Sequence, residues 1–254
     1  MVALGFLAGL WTASRRSPRD GISAERITDL GPWIIVGAIL GARLLYVLSY
    51  WREQFAGQPF SEVFMIQKGG LVYYGGLVGS ILAGVLFCRR KGMPLWKTAD
   101  VLAPSIALGH AFGRIGCLLN GCCYGRVCGL PWAIEFPHGS EPFKEQVFRG
   151  QLNAEAHASL PVHPTQVYES LLNLGLYLGL AWLYRRKKYD GQVFATYLVS
   201  YALIRSFVEL FRGDYPPYQY LRGWITPAHL VSSGIFVVGL LLLALLPRPT
   251  AKQG

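Results

Sequence analysis

The residues best suited to chemistry lie together between His110 and Gly125, where an apolar run of helical pattern gives way to a glycine-rich turn. Arg114 falls where that run should be meeting water or a buried polar cavity. A guanidinium inside a membrane-spanning segment is costly unless it faces a cavity or a partner, so its presence marks a candidate functional site. Gly113, Gly116, Gly121 and Gly125 leave backbone amides bare and allow positive φ, which suits close approach of an anionic head group. An arginine fork beside such amides is a phosphate-binding arrangement.

The elements that position this stretch must be membrane helices. Of 254 residues, 15% are charged and 52% hydrophobic, too apolar for an ordinary soluble domain. The net charge of +10 comes from short basic clusters between apolar runs, which read as topology signals, and no nucleic-acid partner is expected. Met1 to Ala13 is apolar but short and lacks the basic start of a signal peptide, so it reads as a clipped or short first helix. Further runs cover about 27–50, 71–87, 99–119, 165–184, 193–211 and 225–246. The expected fold is an all-α integral membrane protein of about seven transmembrane helices. If every run spans once, the basic segments at 14–26 and 89–97, the cluster at 185–188 and the tail with Arg248 and Lys252 are cytoplasmic. Segments 51–69, 120–164 and 212–224 then face outward, with Arg114 toward the outer leaflet. Five prolines together with Glu135, His138, Glu141 and His157 make 126–164 too polar and broken for a span. It is expected to form a small extracytoplasmic cap on a single polytopic domain, 1–254.

The run Gly113-Arg114-Ile115-Gly116-Cys117-Leu118-Leu119-Asn120-Gly121-Cys122-Cys123-Tyr124-Gly125 resembles the signature of the prolipoprotein diacylglyceryl transferases, Gly-Arg-x-Gly-Asn-Phe-x-Asn-Gly-Glu-x-x-Gly. Supporting matches run along nearly the whole chain: Gly41 to Tyr46 around Arg43, Gly69 to Gly76, His163 to Glu169, and Arg205 to Arg212. The resemblance implies a seven-helix enzyme of the bacterial inner membrane, C-terminus cytoplasmic. It would move diacylglyceryl from phosphatidylglycerol to the lipobox cysteine of a lipoprotein precursor, forming a thioether and releasing glycerol phosphate. Its implied partners are those two substrates and the lipid bilayer. On the same basis, Arg114 is expected to bind substrate with Gly113, Gly116, Asn120, Gly121, Gly125, Gly75, Gly76, His163, Gln166, Tyr168, Glu169, Glu209, Arg212 and Arg43. The chain departs from the pattern at Tyr74, where the family has histidine, and at Cys117 and Cys122, where it has asparagine and glutamate. Those departures leave the proton acceptor open.

The chemistry gives roles to the expected catalytic set, Arg114, Arg205 and Tyr74. Attack by sulfur on a glyceryl carbon needs a thiolate, and a free thiol titrates at about 8.5. Arg114 and Arg205 would stabilise both the thiolate and the departing phosphate. Tyr74, a poor base with a phenol pKa of about 10, is expected to act as a hydrogen-bond donor.

Plainer readings stand beside these. Arg43 also fits a snorkelling side chain or half of a structural ion pair. Glu209 shares a helix face with Arg205 and Arg212 and would neutralise them. His163, before Pro164, fits a helix-entry residue, and Tyr168 and Glu169 follow one turn later. His110 fits a hydrogen-bonded core histidine, and Asp100 would favour the amino-terminal dipole of its own helix.

Four of the five cysteines, Cys117, Cys122, Cys123 and Cys128, read C-x4-C-C-x4-C. Four thiols in one loop could bind zinc or close a disulfide, but the spacing is not a C-x2-C pair, and adjacent Cys122 and Cys123 are awkward as joint ligands. No metal and no cofactor is expected. The alternatives to the transferase are a non-catalytic phospholipid-binding paralogue and a cysteine-rich metal-binding membrane protein.

Overall fold

The computed structural model describes residues 1–214 and 226–247. The helices are α1 (Val2–Arg16), α2 (Ala24–Ser49), α3 (Tyr73–Arg90), α4 (Leu95–Asn120), α5 (Glu141–Phe148), α6 (Thr165–Tyr184), α7 (Gln192–Glu209) and α8 (Pro227–Leu245). Among the described residues the only β structure is a set of isolated bridges. Each of the seven apolar runs holds a helix. Three of these, α2, α4 and α8, are long and apolar enough to cross a membrane by length and composition. Ile225, Arg248, Lys252 and most of the segment 212–224 lie outside the described residues.

The chain packs as two compact units, Leu10–Thr98 and Met1–Gly9 with Ala99–Gly254. In the first, α2 and α3 meet along a seam of glycines. A Cβ on Gly41 would strike the carbonyl of Gly75, one on Gly79 the carbonyl of Gly37, and one on Gly76 would stand 3.2 Å from the carbonyl of Ala38. Lipid offers helices no hydrophobic drive to associate, so small residues that let backbones approach supply the contact. Gly75 and Gly76, expected at the substrate, therefore have packing roles in this seam.

Arg43 sits at the end of the seam and organises the connection from α2 to α3. Its Nε donates to the Val63 carbonyl at 2.7 Å, Nη2 to Glu62 at 2.7 Å, and Nη1 to Gly69 and Gly70 at 2.8 and 3.2 Å. The guanidinium also lies over the rings of Tyr46 and Phe55, 5.5 Å from each centroid. Four of these contacts are to carbonyls of a connection that contains only short helical turns, Trp51–Phe55, Phe60–Phe64 and Ile66–Lys68, with little backbone pairing of its own. The arrangement is neither snorkelling nor an ion pair, and it commits most of the fork.

In the second unit α7 packs against both α6 and α8, and the start of α1 lies on α4, with Gly5 facing Phe112 and Gly109. Asp100 corrects a sequence expectation. It is fully buried in α4, yet its carboxylate accepts from the Gly191 and Phe194 amides, both at 2.9 Å, and from Lys187 Nζ at 3.1 Å. It therefore caps α7 rather than its own helix, satisfying amides that a helix start leaves without intrahelical partners.

The segment after α4 is ordered around a small core of Tyr124, Phe136 and Val162, flanked by Leu118 and Ile134. Bridges pair Val127 and Ile134 with Val162, and Pro137 with Ala158. Ser140 and Pro142 supply the start signals of α5. Buried Gln146 on that helix bonds both backbone groups of Leu160, accepting at 2.7 Å and donating at 3.4 Å.

Candidate active site

The glycine-rich stretch is the carboxyl end of α4 and the turn that closes it. Gly121 adopts φ +70°. Its amide donates to the Leu118 carbonyl at 3.2 Å and the Cys122 amide to the Cys117 carbonyl at 3.1 Å. These two bonds and a left-handed glycine make a Schellman cap. Cys123 follows at φ 61°, the one non-glycine residue with positive φ among those described. The turn is held from α6: Thr165 Oγ1 donates to the Cys123 carbonyl at 2.7 Å and Gln166 Nε2 to the Cys122 carbonyl at 2.8 Å. The expected contact residue Gln166 is thus a brace of the signature turn, 1% exposed.

Arg114 lies two turns before the helix end, and its Nη2 stands 3.0 Å from Glu169 Oε1 on α6. Glu169 is only 2% exposed, so it is a full countercharge and not a weak neighbour. Ser170 ties the same two helices by donating to the Ala111 carbonyl at 3.0 Å. Arg205 is ion-paired with Glu209 one turn later on α7, and Glu209 Oε1 also accepts from Thr226 Oγ1 at 2.6 Å. Arg212 is held by both oxygens of Asp214, at 2.8 and 2.5 Å. Each arginine has its own carboxylate. Arg114, like Arg205, meets its carboxylate through one terminal nitrogen, whereas Arg212 is held through two nitrogens.

α4 and α7 are brought together at their cap ends. His110 lies on Tyr201, ring centroids 4.9 Å apart, and Arg114 and Arg205 each stand one helical turn beyond that contact. Past the helix ends, Gly125 bridges to Arg212, and the Arg126 amide donates to the Phe211 carbonyl at 2.8 Å. Gly125 has no room for a side chain, because its Cβ would meet His163 Cβ at 2.5 Å and the Phe211 carbonyl at 2.8 Å. His163 pairs with the turn through its backbone, accepting from the Gly125 amide and donating to the Arg126 carbonyl, both at 3.0 Å. Its Nδ1 lies 3.3 Å from the Tyr168 hydroxyl, which also accepts from Trp132 Nε1 at 2.7 Å. Burial pushes the His163 imidazole below its ordinary value.

The sequence profile described as Prolipoprotein diacylglyceryl transferase matches residues 1–245. Among proteins named phosphatidylglycerol--prolipoprotein diacylglyceryl transferase, that of Gloeobacter violaceus is 35% identical, with 100% of this chain and 89% of the relative covered. The one from Nitratidesulfovibrio vulgaris is 36% identical over 96% of the chain and 86% of its own length. The one from Geobacter sulfurreducens is 34% identical over 98% and 89%. The chain belongs to the prolipoprotein diacylglyceryl transferase family.

Within this transferase-family chain, the expected site residues fall into two sets. Arg114, Glu169, Gln166, His163, Tyr168, Gly125, Arg205, Glu209 and Arg212 belong to one unit and are linked by the contacts above. Gly113 and Gly116 lie on α4, Gly116 beside Met1 with a Cβ distance of 3.1 Å, and Asn120 is its exposed last residue. Arg43, Tyr74, Gly75 and Gly76 belong to the other unit. Tyr74 is half-exposed in the first turn of α3, edge-on to Tyr73 at 5.7 Å.

Two features go beyond the sequence reading, one unforeseen and one set aside there. Thr226 and His229 form a capping box at the start of α8 that delivers a hydroxyl to Glu209; the spacing of a threonine three residues before a polar residue was the available signal. The second is the cysteine cluster. The Sγ atoms of Cys117, Cys122 and Cys123 all lie within 4.8 Å of one another, and all five cysteines are free thiols. A hydrogen bond from the Cys117 thiol, helped by Arg212 and Arg114, outweighs burial and holds the Cys123 thiol down to about 5. Adjacent cysteines thus do converge, contrary to expectation, because the left-handed turn at Cys123 reverses the chain.

Proposed function

We propose that this protein transfers diacylglyceryl from phosphatidylglycerol to the lipobox cysteine of a lipoprotein precursor. The sulfur attacks the glyceryl carbon, a carbon–sulfur bond forms, and the carbon–oxygen bond to phosphate breaks. Glycerol phosphate leaves with that electron pair, and the thiol proton passes to it or to water. The observation that carries the reading is the Arg114–Glu169 pair at the signature turn, in a chain of this family. Arg114 grips the phosphodiester through its uncommitted fork. Arg205, neutralised by Glu209, adds a weaker field at the same end of the helices, and Arg212 faces Asp214.

Gly113, Gly116, Asn120 and Gly121 flank the head group, Gly125, Gln166, His163 and Tyr168 hold the turn in place, and Tyr74, on α3, is a hydrogen-bond donor. Arg43, Gly75 and Gly76 shape the start of α3, which carries Tyr74. The seven helices α1, α2, α3, α4, α6, α7 and α8 each cross the bacterial inner membrane, forming one polytopic domain. Basic loops and the C-terminus lie in the cytoplasm, and the cap at about 126–164 lies outside.

The test is direct. Purified protein is mixed with phosphatidylglycerol vesicles and a lipobox peptide, and the peptide mass is followed. A gain of one diacylglyceryl group is expected; bound lipid without any gain would favour a non-catalytic lipid-binding paralogue.

A further inference from the structure

We propose that Cys117, Cys122 and Cys123 form a three-thiolate site for a thiophilic divalent cation, Zn2+ by chemical preference, with a fourth position open to an incoming thiol. The site follows from the way α4 ends. In a Schellman cap the third residue from the helix end and the second residue beyond the cap are brought into contact. With Gly121 at φ +70°, those two residues are Cys117 and Cys122, so the C-x4-C spacing across Asn120-Gly121 is a contacting pair. Cys122 Sγ indeed lies 3.7 Å from the Cys117 carbonyl oxygen.

The third ligand comes from Cys123. Its left-handed backbone, φ 61°, is rare for a residue with a side chain, and it returns the thiol to the other two. The resulting separations, within 4.8 Å, suit one ion: zinc–sulfur bonds of about 2.3 Å in a tetrahedral site put sulfur atoms about 3.8 Å apart. The backbone of the turn is held from α6, where Gln166 and Thr165 donate to the carbonyls of Cys122 and Cys123. Three thiolates around a dication leave one negative charge; Arg114 and Arg212 act on Cys123 as positive neighbours and Asp214 as a negative one. Soft thiolate ligands select zinc over the hard cations.

Three protein ligands leave a position free, as in catalytic rather than structural zinc sites. Cys122 and Cys123 line a cavity of about 390 Å³ shared with Tyr124, Glu141 and Asp214, so two of the three thiols border open space. The thiol this molecule has to activate is the precursor's lipobox cysteine. Coordination would deprotonate it, the proton passing to solvent, and so supply the thiolate that Tyr74 cannot make. Activation of the precursor thiol rests on the transferase reading; the cation site does not.

The experiment uses the full chain in detergent. Protein from zinc-supplemented cells should carry about one zinc per chain by elemental analysis. Cobalt exchange should give thiolate-to-cobalt charge-transfer absorption with tetrahedral visible bands. Cys123→Ser should lose at least tenfold in zinc content while Cys128→Ser keeps it. A wild-type protein with no thiolate–cobalt absorption overturns the site whether or not the variants fold, and so does a disulfide between any two of the three cysteines in protein purified under reducing conditions. A cysteine peptide should shift the cobalt bands and its serine analogue should not; identical responses overturn the open position. A cobalt signal that responds to the cysteine peptide in a protein that never transfers lipid would uphold the site and reject the transferase reading.

Discussion

At the level of single residues, the proposed site turns on Arg114 and its carboxylate. Arg212 is clasped by both oxygens of Asp214, and Arg205 faces a carboxylate that Thr226 further fixes. Arg114 spends one contact on Glu169. Removing a donor aimed at developing charge costs about 10²–10³ in rate, so Arg114→Ala should lower kcat/KM for lipid transfer by about that factor. Arg114→Lys should recover only part of it, because an ammonium keeps the charge without the fork. Since Arg114→Ala also strands buried Glu169, the double variant Arg114→Ala with Glu169→Gln separates the effects. It should regain thermal stability and remain inactive; a double variant with wild-type turnover would remove Arg114 from the chemistry.

His163 carries a second residue-scale prediction. Its folded-state value lies below the ordinary histidine value, so the fold favours the neutral imidazole. The stability it contributes is complete above about pH 6.5 and declines as pH falls from there toward its folded value. Its titration followed by NMR should have a midpoint below 6.5, and a midpoint above 7 would contradict the burial argument.

Among the elements, the α2–α3 seam makes a contrast available inside one helix. A methyl on Gly79 meets the carbonyl of Gly37, whereas one on Gly84 meets nothing within 4 Å. Overpacking of this kind costs about 1–3 kcal/mol. Gly79→Ala should therefore lower the melting temperature in detergent while Gly84→Ala leaves it level or raises it, and equal midpoints would count against the seam.

The helices themselves were legible because membrane helices announce themselves: apolar runs stopped by Arg89-Arg90-Lys91 or Arg185-Arg186-Lys187-Lys188 end where α3 and α6 end, within a few residues. The partners of Arg43 and Asp100 were not. Arg43 binds carbonyls of an aperiodic connection, and Asp100 caps a helix two apolar runs later; neither pairing leaves a mark in the local pattern. The cysteine cluster lies between these cases. Asn120-Gly121 after an apolar run is a readable helix stop, and taking it as a Schellman cap would have joined Cys117 to Cys122, but the turn at Cys123 carries no glycine to reveal it.

For the whole molecule, sidedness is the claim most open to test. In a cysteine-free background, Asn153→Cys in the cap should react with a membrane-impermeant maleimide added to intact spheroplasts. Lys91→Cys, beyond α3, should react only after lysis. Both positions are exposed, so access through the membrane decides the result, and the reverse pattern would invert the topology.

The central claim is that the Arg114 fork, at the end of α4, holds the phosphate that leaves when a thiol is alkylated. The measurement closest to it is the mass of a lipobox peptide incubated with phosphatidylglycerol and either wild-type or Arg114→Ala protein at matched helicity. The account predicts a one-diacylglyceryl gain with release of glycerol phosphate for the wild type and a rate lower by about 10²–10³ for the variant. An unmodified peptide with the wild type, or equal rates for the two proteins, would contradict it.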